Sequence, residues 1–157
     1  MNKTVESVLG ELRNDPRFVS CVTAWHHFPP TPGDYSDIPD ELHPLLKQAL
    51  ANKGLNSLYT HQREAYDRVT QGENICVVTP TASGKTMCYN LPVLDAILKD
   101  PNSRALYLFP TKALAQDQLA EIEDMCRAGG FSIKSFTFDG DTPNSKRRLA
   151  KQVGQVI

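Results

Sequence analysis

From residue 74 onward, short apolar runs alternate with stretches of helical period. The runs fall at 74–79, 104–109 and 131–138, with a last one beginning at Gln155; helical patterns occupy 85–99, 112–128 and 144–152. Strands separated by helices cannot pair as hairpins, so the alternation predicts a parallel sheet with helices on both faces. Ligands of such sheets gather at the carboxyl ends of the strands. All three strand ends here carry residues with chemistry: Thr79 to Thr86, Thr111-Lys112, and Asp139-Gly140-Asp141-Thr142. The expected fold class is therefore α/β, with 40–157 as a partial parallel-sheet domain and 1–39 as a helical and Pro-rich extension.

The first strand end is the most specific. Ile75-Cys76-Val77-Val78 leads into Thr79-Pro80-Thr81-Ala82-Ser83-Gly84-Lys85-Thr86, and a helical pattern follows at once. A strand, a loop of small residues, Gly-Lys-Thr and a helix make a phosphate-binding loop. Backbone N–H groups of Thr81, Ala82, Ser83 and Gly84 surround phosphate, Lys85 supplies a point charge, and the Thr86 hydroxyl ligates Mg²⁺. The usual first glycine is Thr79 here and position 82 is Ala, so the loop departs from the plain pattern. A Ser/Gly turn with an ordinary surface lysine remains the bland alternative.

The other strand ends read as weaker versions of the same idea. Thr111 at a helix start, with exposed N–H groups and Lys112, is a phosphate site that carries no sequence information; alone, it equally fits an N-cap beside a solvated lysine. In the 139–142 loop two aspartates repel phosphate, which leaves the Gly140 N–H and Thr142 as the contacts. Turn chemistry with a Thr142 cap, or a D-x-D metal site, explains the same residues. Lys146-Arg147-Arg148 with Lys151 is the densest positive cluster and reads first as a solvated helix face.

The N-terminal part is different in kind. Residues 4–13 form a short helical pattern with Thr4 as N-cap, and 16–44 hold six of the eleven prolines, which predicts an extended arm pinned by Trp25 and Phe28. A helix from Pro39-Asp40 then shows Leu42, Leu45, Leu46, Ala49 and Leu50 on one face and stops at Lys53-Gly54. Thr60 is expected to cap the next helix, and Pro92 to kink the one after it. A net charge of −1 gives no global pull toward nucleic acid. The four cysteines have no C-x-x-C spacing, so reduced, packed thiols are expected. No apolar run exceeds five residues and Glu6, Glu11 and Asp15 break any leader pattern, so a cytoplasmic protein without a membrane partner is expected.

Two further segments carry a family resemblance. Leu58-Tyr59-Thr60-His61-Gln62 precedes Lys85 by 23 residues at Gln62, and Pro110-Thr111-Lys112-Ala113-Leu114-Ala115-Gln116-Asp117-Gln118 begins 25 residues after Lys85. In this order and spacing the chain resembles the first RecA-like domain of superfamily 2 DExD/H-box helicases. Gln62 matches their adenine-reading glutamine, Thr79 to Thr86 their motif I, and Pro110 to Gln118 their motif Ia. The wording of TPTASGKT, LYLFPTKALAQDQ and SFTFDGDTP is most similar to the MrfA-like DNA-repair helicases.

The resemblance implies an ATP-dependent helicase or translocase with ATP and Mg²⁺ as cofactors. Single-stranded nucleic acid, DNA in the repair group, would lie on Thr111, Lys112, Gly140 and Thr142. One departure stands out: DEAD-box members add an aromatic 17 residues before the glutamine, and Leu45 stands there. Tyr59 or Arg63 would then cover the purine. Hydrolysis needs carboxylates and arginines beyond phosphate binding, and the only Asp-Glu step is Asp40-Glu41. The chain is therefore expected to be the ATP-binding start of a longer helicase, ending inside a core strand, inactive by itself and completed by a second RecA-like domain. The alternatives are a non-catalytic P-loop nucleotide-binding module or a P-loop kinase.

Overall fold

The computed structural model describes residues 3–30, 32–81 and 83–157. The chain divides into two compact units, Met1–Pro32 and Gly33–Ile157.

In the first unit, α1 (Val5–Asn14) starts where the Thr4 side chain accepts the Ser7 N–H, as expected of an N-cap. A second short helix, α2 (Pro16–Val19), lies where the sequence predicted extended chain; Asp15 caps it and Pro16 opens it, both favourable at a helix start. Residues 22–30 then belong to no helix or strand. The Arg13 guanidinium lies 4.5 Å from the centre of the Trp25 ring, a cation–π contact that ties this stretch to α1. Phe28 is 87% exposed and anchors nothing.

The second unit opens with β1 (Tyr35–Ser36), paired antiparallel with β2 (Leu58–Tyr59). Between them α3 (Pro44–Asn52) begins five residues later than the sequence suggested. The reason is local: the residue before a proline is disfavoured in the helical region, so His43 becomes the cap and Pro44 the first turn. Leu42 is buried nonetheless, ahead of the helix. α4 (Thr60–Thr70), α5 (Lys85–Lys99), α6 (Lys112–Gly129) and α7 (Asn144–Val153) complete the helices. α3 packs on α6, and α4 on α5. α5 continues through Pro92, which is buried in its interior.

Leu42, Leu46, Leu50, Leu58, Tyr66, Leu91, Leu94, Ile122 and Val156 join in one core cluster. A buried charge ties three of the elements together. Asp95 on α5 accepts the His43 N–H (2.8 Å), the Tyr66 hydroxyl (2.8 Å) and Lys99 Nζ (2.6 Å). Burial first, and then the Asp95 bond, push the Tyr66 phenol far above its ordinary range.

Parallel pairing is present but brief. Val156 bridges Ala105 on one side and Ser135 on the other, both in parallel. The Ala105 N–H donates to the Gln155 carbonyl (2.7 Å), Tyr107 to Ile157 (2.8 Å) and Phe136 to Val156 (3.0 Å). Residues 155–157 thus lie between the runs at 105–107 and 134–136. Among the described residues 74–79 joins no ladder, and β1–β2 is the one named sheet. The expected sheet is thus represented by these bridges alone, because a parallel ladder requires a neighbour for each strand and no run lies paired to 74–79. Val78 and Leu108 are accordingly 88% and 83% exposed. Two cysteines also differ from expectation: Cys88 and Cys126 are buried, with burial raising both thiols, but Cys21 and Cys76 are exposed.

Candidate functional site

The phosphate loop meets α5 at Gly84, whose backbone is left-handed (φ 72°). Only glycine adopts this without strain, and a Cβ here would come within 2.6 Å of Gln62 Nε2. The contact explains the geometry. Gln62, almost fully buried, accepts the Tyr59 N–H on Oε1 (3.0 Å) and donates Nε2 to the Gly84 carbonyl (2.9 Å). One turn position earlier, His61 Nε2 lies 3.0 Å from the Ser83 carbonyl; since a carbonyl only accepts, this nitrogen carries the proton. The first turn of α4 therefore grips two successive carbonyls of the loop. Tyr59, not Thr60, is the capping residue of α4, because the Gln62 side chain returns to its N–H.

Lys85 closes over the loop. Its Nζ donates to the Thr79 carbonyl (3.0 Å) and the Pro80 carbonyl (2.6 Å), with the Thr79 and Ser83 hydroxyls at 3.3 and 3.4 Å. Those hydroxyls lie 2.5 Å apart. α5 starts without a side-chain cap and has no acidic residue in its first turn, so its N-terminal dipole is left to a ligand. The donor set thus suits a phosphate: an uncapped helix start, a cation on an adjustable stem, and the Thr86 hydroxyl. Thr81 is exposed, and Ala82 lies outside the described residues.

The base side departs from the sequence reading. The Tyr59 ring is already engaged, stacked with Tyr35 (4.9 Å) and with His61 (5.6 Å). Arg63 is held by Asp67 and the Asp37 carbonyl. Tyr35, 58% exposed, is the aromatic surface that sequence spacing missed, because β1–β2 pairing brings it opposite Tyr59.

The second cluster lies elsewhere in the same unit. Thr111 caps α6, its hydroxyl accepting the Leu114 N–H (3.2 Å). Lys112 pairs with Asp141, which holds the lysine above its ordinary range. Thr142 is turned inward: its hydroxyl accepts the Asp139 N–H (2.9 Å) and donates to Asp139 Oδ1 (3.1 Å). The Asp141 N–H and then Thr142 keep the Asp139 carboxyl below the usual carboxylate range. Gly140 is exposed and its carbonyl faces Arg147.

Lys146, Arg148 and Lys151 are exposed, as a solvated helix face requires, and Arg147 alone departs from that reading. Its guanidinium donates to the carbonyls of Asp139 (2.5 Å) and Thr142 (2.8 Å) and lies 4.8 Å from the Phe138 ring. Among the described residues no group of three His, Cys, Asp or Glu is placed to hold a metal, so the D-x-D option has no further ligand. No described helix is long and apolar enough to cross a membrane.

The DEAD/DEAH box helicase family model matches residues 59–157, which include every loop just described. The chain belongs to the DEAD/DEAH box helicase family. It is 46% identical, over 95% of its length, to the ATP-dependent helicase YprA of Bacillus subtilis (strain 168), of which it covers 20%. It is 32% identical over 98% of its length to the ATP-dependent helicase HRQ1 of Saccharomyces cerevisiae, covering 14%. Among solved structures it is similar to the DUF1998 helicase MrfA bound to DNA and AMPPNP, with a TM-score of 0.79 and 44% identity over 98% of this chain and 21% of that one. The chain thus spans about a fifth or less of the length of these three proteins.

Proposed function

We propose that this chain is the ATP-binding part of an ATP-dependent DNA helicase or translocase of the repair type. The observation that carries the reading is the junction at Gly84: an uncapped helix start, Lys85 and Thr86 beside it, and a buried glutamine bonded to the loop. Bound Mg²⁺–ATP would supply the phosphoanhydride whose hydrolysis drives movement. The chain's own residues bind and orient it. Loop N–H groups from Thr81, Ala82, Ser83 and Gly84 and the helix start would surround the phosphates, Lys85 would exchange its carbonyl partners for phosphate oxygens, and Thr86 would ligate the metal. Gln62 keeps one N–H and one lone pair after its two protein bonds. These suit adenine N7 and N6, whereas guanine offers two acceptors there.

Thr111, Lys112, Gly140 and Thr142 form the nucleic-acid side, taking the backbone of one DNA strand. The similarity to MrfA, whose solved complex holds DNA, supports the choice of DNA. A parallel RecA-like sheet, of which the bridges at Val156 are the part seen here, a second RecA-like domain and an intracellular location belong to the same reading. No Asp-Glu step follows Pro110, so turnover by these 157 residues alone is expected at background.

A titration with a fluorescent ATP analogue, with and without Mg²⁺, tests the reading. Binding that requires Mg²⁺ and is lost in Lys85→Ala supports it. A folded Lys85→Ala protein that binds as tightly as wild type would falsify it.

A further inference from the structure

Two polar side chains of α5 reach across to the segment that presents Thr111 and Lys112. The Tyr89 hydroxyl donates to Gln118 Oε1 at 2.6 Å, and Asn90 Oδ1 accepts the Tyr107 hydroxyl at 2.8 Å. Among the described residues these are the hydrogen bonds that join α5 side chains to residues 104–118. Tyr107 lies on the run that enters the Thr111-Lys112 turn, and Gln118 on the helix that leaves it. Neighbouring residues of one helix thus hold both sides of that turn. The Tyr89 and Tyr107 rings also meet edge to face, 5.5 Å apart.

Such a contact is not what packing alone would select. Gln118 and Asn90 are 8% and 3% exposed, where apolar side chains would fill the space without needing a directional partner. A short hydrogen bond between helices fixes their relative position, which apolar contact does only loosely. Tyr89 also stands at i+3 from Thr86, on the same face of α5. A ligand that shifts the first turn of α5 at Thr86 therefore shifts Tyr89 one turn on and, through the Gln118 bond, bears on α6.

We propose that the Tyr89–Gln118 hydrogen bond is a positioning contact through which occupancy of the Lys85–Thr86 site alters the grip of Thr111 and Lys112 on single-stranded DNA. The inference rests on the two binding sites proposed above. It makes Tyr89 and Gln118 coupling residues that touch neither ligand. Because coupling is reciprocal, DNA changes nucleotide affinity by the same factor.

The test is a fluorescence-anisotropy titration of a labelled oligodeoxythymidylate with and without saturating Mg²⁺–AMPPNP, on wild type, Tyr89→Phe, Gln118→Leu and the double variant. Thermal midpoints are measured in parallel. Wild type is expected to show a change in DNA affinity of about 5- to 150-fold on adding nucleotide. Either single variant brings that factor to about 1–2, with affinity for each ligand alone within about threefold of wild type. The double variant, with both partners apolar, recovers the midpoint lost by the singles but not the coupling. Coupling that returns along with the midpoint, or that survives both single changes, overturns the proposal and makes the pair simple packing. A wild-type factor of one with both ligands bound overturns the coupling alone. Failure to bind AMPPNP or DNA at all removes the site assignment first, and the coupling with it.

Discussion

The Gly84 junction and the Lys112 junction both put a lysine at the start of a helix after a short loop, yet they are held in different ways. At Gly84 the loop is fixed by the buried amide of Gln62 and the His61 ring, and the Lys85 ammonium is folded onto loop carbonyls. At Lys112 the lysine is exposed and paired to a still more exposed Asp141. A buried hydrogen bond holds its geometry because leaving it unmade is expensive; an exposed ion pair is screened and cheap to break. The first junction is thus preorganised for one ligand with defined acceptors. The second is a removable contact, as the DNA site proposed above would need.

The comparison is most directly broken at Lys85. Charge-assisted hydrogen bonds contribute about 1.5–3 kcal/mol, so Lys85→Ala should weaken Mg²⁺–ATP binding by roughly 10- to 150-fold while the thermal midpoint stays, since the freed carbonyls take water. A large loss of midpoint would mean that the lysine holds the loop together instead. Gln62→Ala comes next. Removing the amide leaves the Tyr59 N–H and Gly84 carbonyl without their partner, at a cost of about 1–3 kcal/mol. Nucleotide affinity should fall about five- to hundredfold, and any preference of ATP over GTP should vanish, as read by competition. Equal wild-type affinities for the two would remove Gln62 from base reading.

The exposed junction should respond more mildly and through salt. Lys112→Ala is expected to weaken single-strand binding a few-fold and to reduce the slope of log K against log salt by about 0.7, one phosphate contact. An unchanged slope would take Lys112 out of the interface. Asp141→Asn sharpens the point from the opposite direction: freeing Lys112 should tighten DNA binding, by about two- to fivefold at low salt and less as salt rises. A weaker complex would mean that Asp141 positions the lysine and does not compete for it. The smallest effect concerns pH. Asp139 has a depressed folded-state pKa, so its contribution to the loop is full above the ordinary carboxylate value of about 3.9 and is lost as pH falls through the folded one. The loop should therefore keep its shape from pH 8 down to about 5, as read by the amide signals of Asp141 and Thr142.

Much of the local architecture was legible in the chain. α5 spans the residues its pattern predicted, Thr111 and Thr4 cap their helices, and Gly-Lys-Thr sits at a helix start. These features depend on neighbours within a few positions, and the chemistry of capping and phosphate loops is written at that range. Family membership was legible for the same reason, since motif order and spacing are linear properties.

What the sequence could not state were the contacts between residues far apart along it. Nothing linear places Tyr35 against Tyr59, His61 on Ser83, Arg147 on the 139–142 carbonyls or Tyr89 on Gln118. Nor does spacing reveal that the Gln62 amide is already half committed to protein partners, or that Lys112 carries a counter-ion of its own. The sequence by itself determined which residues start α1, α5 and α6, because backbone preference and capping act locally. Tertiary structure alone decided which of those groups are free for a ligand, because that depends on what folding buries beside them and on the cost of leaving a buried polar group unpaired.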